Sequence, residues 1–191
     1  MLPDNTLATT STFFPFLAGE VGGGPANLID FKLGGAGIQD PSQGLQVKIW
    51  TMLKTGNDIT LRATDVVSVT LFSFPNITQL SFTFDQNMNP FVAFVAAGVA
   101  KYWWFDPLAG TTVFADIPGA SSPRCNLDDK RSGQTFLGSS DIILAYLKGT
   151  DLYYRQQRDR FNIERLLKAN AGNELLAVGM NTALRLQFIL S

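Results

Sequence analysis

An internal repeat is the feature that most constrains how this chain can fold. Residues 81–85 (SFTFD) align with residues 124–128 (RCNLD), and each run reads as a strand that ends in an aspartate. The other matched positions, in chain order, are 92–94 with 144–146, Gly98 with Gly149, 102–103 with 153–154, and Asp106 with Asp159. The second copy has a longer loop at 130–140, so the period is about 40 to 50 residues, which is typical of propeller blades.

The two copies, at about 67–106 and 111–159, each predict about four short strands. A single blade cannot bury both of its faces, so its sheet needs neighbours. Two clear copies and a weaker one at 45–63 are too few for a closed propeller of conventional size. Either the missing blades come from neighbouring subunits, or the sheets pack as a sandwich or an incomplete barrel, and the sequence leaves both alternatives open.

From residue 45 onward, runs rich in β-branched and aromatic residues alternate with turn clusters, which predicts an antiparallel meander. The predicted strands are 45–53, 58–63, 67–73, 78–85, 91–96, 100–105, 111–117, 123–127, 141–147, 152–157, 174–179 and 183–190. One helix is predicted at 157–169, and a strand followed by a short helical turn fits almost as well. The predicted fold is all-β, with blade-like sheets in one domain over residues 45–191.

Residues 1–44 are rich in Gly, Pro, Ser, Thr and Asn, so we expect an extended N-terminal arm. One short strand is predicted within it, at 27–33. A disordered tail is the alternative reading of this segment. Against it, Phe13, Phe14 and Phe16 belong to a set of large apolar residues that is too numerous to leave in water.

The chain contains no histidine, which excludes Ser-His-Asp and Cys-His catalysis and most zinc and non-haem iron sites. Its single cysteine, Cys125, permits neither an intrachain disulfide nor a cysteine-ligated cluster. Asp85, Asn87 and Asn89 resemble the opening of a calcium loop, but the glycine and the bidentate glutamate that complete such a loop are missing. We therefore expect no metal and no cofactor.

Charge and hydropathy argue against two further classes of partner, nucleic acid and membrane. Lys plus Arg number 15 and Asp plus Glu 16, so the net charge of −1 provides no field that would attract nucleic acid. The strongest apolar run, at 91–100, is about half the length that a membrane-spanning helix needs. The N-terminal apolar patch at 13–18 contains Pro15 and lacks a basic region before it, so it does not read as a signal peptide.

Two segments supply the candidate site residues. The run 153–160 (YYRQQRDR) places planar, multidentate side chains on both faces of a strand, which suits recognition of a protein surface or sugar and equally suits an internal Arg–Asp network. The aromatic run 102–105 (YWWF) has one pair that we expect in the core and another that is a candidate partner contact. Asp85 and Asp128 are predicted to be structural, each pinning its hairpin.

A glycosidase is a minor alternative, because that chemistry can use a tyrosine nucleophile, arginines that hold a sugar carboxylate, and a carboxylic acid. Side chains of these types are Tyr153, Tyr154, Arg155, Arg158, Asp128 and Glu164. They cluster in one copy of a repeat that otherwise looks like scaffolding. Residue types alone therefore give this alternative little weight.

Four stretches carry a resemblance to a known class of proteins. They are 37–45 (GIQDPSQGL), 84–95 (FDQNMNPFVAFV), 127–131 (LDDKR), and 143–146 (ILAY) followed by 152–161 (LYYRQQRDRF). Together they resemble small structural proteins of tailed bacteriophages, and the resemblance spans roughly residues 35–190. It implies a virion tail component that assembles in the host bacterial cytoplasm, and it implies no catalytic residue.

We therefore expect a non-enzymatic structural subunit whose partners are copies of itself, forming a ring, and other tail proteins. The alternative is a host-receptor module that binds a cell-surface glycan. The residues predicted to contact partners are Phe13, Phe14, Phe16, Trp103, Trp104, Tyr154, Arg158 and Arg160.

Overall fold

The computed structural model describes the backbone of residues 12–15, 34–39, 47–63, 66–85, 89–128, 141–180 and 186–191. Side chains in these ranges are described from Thr51 onward, apart from residues 63–67 and 180. The strands are β1 (Thr12–Pro15), β2 (Gly34–Gln39), β3 (Val47–Thr55), β4 (Asp58–Ala63), β5 (Val66–Ser73), β6 (Ile77–Phe84), β7 (Pro90–Ala96), β8 (Val99–Asp106), β9 (Thr111–Asp116), β10 (Ser121–Asp128), β11 (Asp141–Lys148), β12 (Asp151–Gln156), β13 (Arg165–Lys168), β14 (Leu175–Met180) and β15 (Leu186–Leu190).

These strands form four antiparallel sheets in chain order: sheet A (β1–β5), sheet B (β6–β9), sheet C (β10–β13) and sheet D (β14 and β15). The all-β class predicted from the sequence is confirmed. In the described part of the chain, the only helical element between these strands is a 3-10 turn at Gln157–Asp159, so no helix there is long enough to cross a membrane.

The repeat of the sequence corresponds to sheets B and C. Gly98, with a φ of +78°, and Gly149, with a φ of +59°, lie in the tight turns between the second and third strands of their sheets. The sheets span 77–116 and 121–168, whereas the repeats drawn from the sequence start ten residues earlier, at 67 and 111. The reason is that β5 pairs with sheet A and β9 pairs with sheet B.

The sheets pack face to face in the order A, B, C, D, with one apolar core between each pair. The A–B core contains Met52, Ile59, Leu61, Phe72, Leu80, Phe82, Phe94 and Trp103 among its buried members. The B–C core contains Phe91, Tyr102, Trp104, Cys125, Leu127, Ile142, Leu144, Tyr146 and Phe161. The C–D core is smaller and contains Ala145, Leu147, Leu152, Leu175 and Val178. Alternate residues along β7, β8, β11 and β12 therefore serve different cores.

Each connection between sheets runs from the last strand of one to the first strand of the next, and β10 lies against both β6 and β14. Propeller blades are connected in this way. The described strands fit both of the arrangements that the sequence left open, the propeller-like and the sandwich-like one.

Three local predictions need correction or lie outside the described residues. The helix predicted at 157–169 is wrong, since the chain makes a 3-10 turn and then β13, close to the alternative of a strand with a helical turn. The strand predicted at 27–33 lies outside the described residues. β1 and β2 were not predicted, because glycines at 34, 35 and 37 read as flexible although their backbones pair with β1 and β3.

Candidate functional site

Residues 157–161 join sheets B and C at one end, and we call them the clasp. β12 ends at Gln156, and the chain then makes its 3-10 turn before it reaches Phe161. Strands β6, β8 and β10 run to the same end, where each terminates in or just before an aspartate: Asp85, Asp106 and Asp128. The clasp thus lies where acidic strand ends meet.

Arg158 and Arg160 each hold a buried aspartate from a different sheet. Arg158 donates from Nε to Oδ2 of Asp141 over 2.5 Å, and from its backbone N–H to Oδ1 over 2.9 Å. Asp141 begins β11 of sheet C. Arg160 donates from its guanidinium to Asp106, which ends β8 of sheet B. Both arginine side chains are half exposed and both carboxylates are buried. The two acids therefore fix two guanidinium groups at the surface.

These contacts shift the pKa of the groups that make them. Burial alone raises the pKa of Asp106, but hydrogen bonds from Arg160 and from the N–H groups of Ala109 and Leu108 outweigh it, so the pKa is lowered. Hydrogen bonding and the charge of Asp141 raise the pKa of the Arg158 guanidinium. The Asp106 carboxylate and the Arg158 guanidinium are therefore both charged at neutral pH.

Asp85 connects the clasp to the β6–β7 turn. Its Oδ2 accepts from Nε2 of Gln157 over 3.3 Å and from Nδ2 of Asn89 over 3.0 Å. Its Oδ1 accepts from the backbone N–H of Asn89 over 2.8 Å, and its own N–H donates to the Asn89 carbonyl oxygen. Asp85 therefore organises its turn, as an Asx-rich turn does. Asp128, the matching residue of sheet C, is buried at the end of β10 opposite Asp141.

The backbone of the clasp is strained at two consecutive residues. Arg160 has a φ of +51° and Phe161 a φ of +58°, a left-handed region that L residues other than glycine, asparagine and aspartate seldom adopt. Backbone hydrogen bonds hold both positions: Arg160 N–H donates to the Gln157 carbonyl oxygen over 2.7 Å, and Phe161 N–H to that of Gln156 over 3.0 Å. Such strain persists only where surrounding contacts enforce the conformation.

Packing of the Phe161 ring enforces this left-handed backbone conformation. The side chain is fully buried, and its ring centroid lies 4.7 Å from that of Phe91, 5.3 Å from Tyr102 and 5.1 Å from Trp104. These three rings all belong to sheet B, whereas Phe161 follows the third strand of sheet C. The left-handed turn directs the Phe161 ring into the core between sheets B and C. The clasp therefore links the two sheets through packing as well as ion pairs.

A second polar cluster, the Glu164 network, lies just after the clasp. Tyr146 Oη donates to Glu164 Oε2 over 2.5 Å, and Lys148 Nζ donates to Oε1 over 2.8 Å. Arg155 donates from Nε to Tyr146 Oη over 2.8 Å and from a terminal nitrogen to Glu164 Oε2 over 3.2 Å. Its other terminal nitrogen donates to the Phe161 carbonyl oxygen over 3.2 Å, which ties this network to the clasp.

The network fixes the protonation states of its members. Burial raises the pKa of Glu164, but hydrogen bonds from Lys148, Tyr146 and Arg155 outweigh it and lower the pKa to about 2. Burial and the hydrogen bond to Glu164 raise the pKa of Tyr146 well above its usual value. Glu164 is therefore an anion and Tyr146 a neutral phenol at physiological pH, which makes them a poor acid and a poor nucleophile.

Two predicted partner contacts must be corrected. Trp103 and Trp104 are both buried, the first in the A–B core and the second in the B–C core. Both β8 faces are covered because sheet B has a sheet on each side, whereas the sequence suggested one covered face. The aromatic pair is therefore internal to the folded chain and offers no surface anchor.

The remaining predicted contacts are distributed over the molecule. Arg158 and Arg160 lie together in the clasp, and Tyr154 lies half-buried on β12 at the C–D core, with the Arg165 guanidinium 6.0 Å from its ring centroid. Phe13 and Phe14 belong to β1, and their side chains lie outside the described residues. Phe16 is also outside them.

Sequence reasoning missed the roles of Phe161 and Asp141. Phe161 ends the run YYRQQRDRF, and an apolar residue directly after alternating charges marks a position where the chain returns to the core. Asp141 begins a predicted strand opposite Asp128, and no local signal distinguishes it from an ordinary strand terminus. Its pairing with Arg158 becomes visible only once β11 and β12 are placed side by side.

The described residues contain no group of three or more histidine, cysteine, aspartate or glutamate side chains arranged to hold a metal ion. Cys125 is buried in the B–C core, and burial raises the pKa of its thiol to about 12. Such a thiol is unreactive at neutral pH.

Comparison of the chain with protein-family models, with curated proteins and with solved structures found no match.

Proposed function

We propose that this chain is a non-enzymatic structural subunit that acts through contacts with copies of itself and with other proteins. The proposed setting is the tail of a bacteriophage virion, assembled in the host bacterial cytoplasm. That setting rests on the resemblance of the four sequence stretches to tail-associated proteins. The structural role is supported separately, by the way in which the described side chains are used.

The observation that carries the proposal is that the carboxylate side chains that could take part in catalysis serve internal contacts. Glu164 accepts hydrogen bonds from three side chains, and Asp106 and Asp141 each hold an arginine of the clasp. A glycosidase needs a carboxylic acid with a raised pKa. The pKa of Glu164 is lowered instead, so these residues favour scaffolding over hydrolysis.

Apolar side chains, by contrast, are exposed on the outermost strand of every sheet. These exposed residues are Val69 on β5, Phe114 on β9, Leu166 on β13 and Ile189 on β15. On the side where the described residues supply no neighbouring strand, an outer strand presents backbone N–H and C=O groups, which favour pairing with another chain. Exposed apolar side chains on such edges are expected of a subunit that assembles.

The proposal is tested by the mass and shape of the purified full-length protein. Sedimentation velocity over a range of concentrations is expected to show oligomers larger than a dimer, and electron microscopy is expected to show particles of regular shape. A protein that stays monomeric at every concentration and hydrolyses a glycoside substrate would contradict the proposal.

Glycan binding is the second candidate, and one observation favours it. Tyr153 is half-buried, with Lys148 Nζ 5.7 Å from its ring centroid and the carboxylate of Glu164 held by the same lysine. An aromatic ring flanked by polar groups is a common platform for sugars. A glycan array with the wild type, Tyr153→Ala and the control Phe114→Ala separates the candidates, because only loss of a specific signal in Tyr153→Ala supports glycan recognition.

A further inference from the structure

The first strands of sheets B, C and D lie side by side. Between sheets B and C, the backbone N–H of Cys125 on β10 donates to Ser81 Oγ on β6 over 3.1 Å. Between sheets C and D, Nε of Arg124 on β10 donates over 2.9 Å to the carbonyl oxygen of Leu176 on β14. Arg124 also donates from Nη1 to Gln79 Oε1 on β6 over 3.4 Å. β6, β10 and β14 therefore form one row along the inner edges of three sheets.

Sheet A continues this row through β2 and carries one additional strand. β2 lies against β6, as β6 lies against β10 and β10 against β14. Counted from β2, sheet A has four strands in chain order, as sheets B and C have. β1 is then a fifth strand, paired antiparallel with the inner edge of β2 from Thr12↔Gly37 to Pro15↔Gly34. In the described part of the chain, neither sheet B nor sheet C has a counterpart of β1.

The additional strand connects the first sheet of the chain with the last. β1 lies against β14, the first strand of sheet D. Packed sheets are about 10 Å apart, so an open stack of four sheets would separate the inner edges of A and D by about 30 Å. The contact between β1 and β14 is instead that of neighbouring sheets. Each of the four sheets thus has an inner strand in contact with the sheet before it and the sheet after it.

We infer that β1 closes the four sheets into a ring within a single chain, and we call this strand the latch. The ring corresponds to the propeller-like arrangement, with sheets A to D as its blades. The latch fills the place between β2 and β14, so no blade from a neighbouring subunit is needed to complete the ring. This inference goes beyond the proposed function, because it concerns the completion of one copy and not the contacts between copies.

The latch is also the place where the ring opens most easily. β1 has four residues, and the last of them, Pro15, has no backbone N–H to donate. So short a strand has little stability of its own, and its position depends on β2 and β14. Local opening of such a segment costs less free energy than unfolding of the whole chain. The ring therefore opens first between sheets A and D.

Distances between spin labels test the closure in the full-length chain. Cys125 is buried and unreactive, so the labels attach to introduced cysteines. Thr12→Cys on β1 is combined with Leu176→Cys on β14 in one sample and with Thr78→Cys on β6 in the other, and both Leu176 and Thr78 are exposed. Labelled chains are diluted into excess wild type, so that only distances within one chain are measured.

The closed ring and the open stack give different results in this measurement. In the ring, the distance from residue 12 to residue 176 is expected to agree with that from 12 to 78 within about 10 Å, one sheet spacing. In the open stack, the first distance exceeds the second by about 20 Å, two sheet spacings, and this result overturns the latch.

Deletion of the latch provides a second measurement. Without residues 1–15, the backbone amides of β14 are expected to exchange hydrogen about tenfold faster or more, because local opening then requires less free energy. The amides of β7 and β11, whose side chains pack in the B–C core, are expected to keep their rates. Deletion of residues 1–11 leaves β1 in place and is the matched control, with exchange expected to follow that of the full chain.

Unchanged exchange in β14 after deletion of residues 1–15 overturns the latch and leaves the structural function standing. A chain whose label distances show the closed ring but which stays monomeric at every concentration overturns the proposed function alone. The two proposals can therefore fail separately.

Discussion

Phe161 carries most of the apolar contact between the clasp and sheet B. Its ring is fully buried against three aromatic rings, and truncation of Phe161 to alanine removes these dispersion contacts without replacement. We expect Phe161→Ala to lower the free energy of unfolding by about 3–5 kcal/mol, measured by urea denaturation. Ile163→Ala, at a half-exposed site two residues later, is the matched control and should cost less than about 1 kcal/mol. Equal losses in both variants would show that Phe161 has no special role.

Glu164 makes the fold sensitive to acid. Its pKa is about 2 in the folded chain, below the ordinary value of 4.5, so the folded state favours the carboxylate. The network therefore stabilises the fold fully above the ordinary pKa, and this contribution is lost as the pH falls toward about 2. We expect the melting temperature of the wild type to drop over this interval more steeply than that of Glu164→Gln.

The control for this acid profile is Asp116→Asn. Asp116 pairs with Lys101 at the surface and is more than half exposed, and ion pairs of this kind contribute little to stability. Its acid profile should follow that of the wild type. If Glu164→Gln also followed it, the Glu164 network would not be the source of the sensitivity.

At the scale of the element, the clasp has a strained backbone because the side-chain contacts that this backbone allows stabilise it. Arg160 adopts a φ of +51°, which glycine accepts readily and alanine does not. Arg160→Gly and Arg160→Ala both lose the ion pair to Asp106, so their difference reports the backbone alone. We expect the glycine variant to be more stable than the alanine variant by about 1 kcal/mol in urea denaturation.

Arg158 supplies the matched control for that comparison, since it lies two residues earlier, also pairs with an aspartate, and has no positive φ. There the order should reverse, with Arg158→Gly less stable than Arg158→Ala, because glycine gains no strain relief and loses more entropy. The same order at both positions would show that the left-handed conformation of Arg160 stores no strain.

Strands rich in β-branched and aromatic residues could be predicted from the sequence. Gly98 and Gly149 indicated the turns at which the chain reverses direction between two of these strands. β13 escaped prediction because Leu166 and Leu167 between charges fit a helical period as well as a strand. What decides against the helix is the left-handed Phe161, whose conformation depends on rings contributed by sheet B. A contact between residues so distant in sequence leaves no local pattern.

At the scale of the whole molecule, the same limit applies to the aromatic residues of β8. Composition and alternation indicate that Trp103 and Trp104 point to opposite faces, but not that both faces are covered. Their burial follows from the position of sheet B between two other sheets. The candidate site was predicted in part for the same reason: Arg158 and Arg160 stood out in the sequence, while their buried partners depend on how the sheets pack.

The nature of the proposed assembly predicts its response to salt. Assembly through exposed apolar side chains such as Val69, Phe114 and Ile189 depends on no attraction between charges, so screening leaves it intact. Raising sodium chloride from about 0.05 to about 1 M, over which the Debye length falls severalfold, should leave the sedimenting mass unchanged. Sodium sulfate, which strengthens apolar burial, should shift the equilibrium toward larger species.

Assembly through the clasp predicts the opposite response. Arg158 and Arg160 present half-exposed guanidinium groups, and contacts that depend on them would weaken as salt screens their charges. Dissociation in sodium chloride, abolished in the double variant Arg158→Gln and Arg160→Gln, would therefore assign the interface to the clasp. An assembly that is indifferent to chloride and strengthened by sulfate instead places the contact at the exposed apolar side chains of the outer strands, such as Val69 and Ile189.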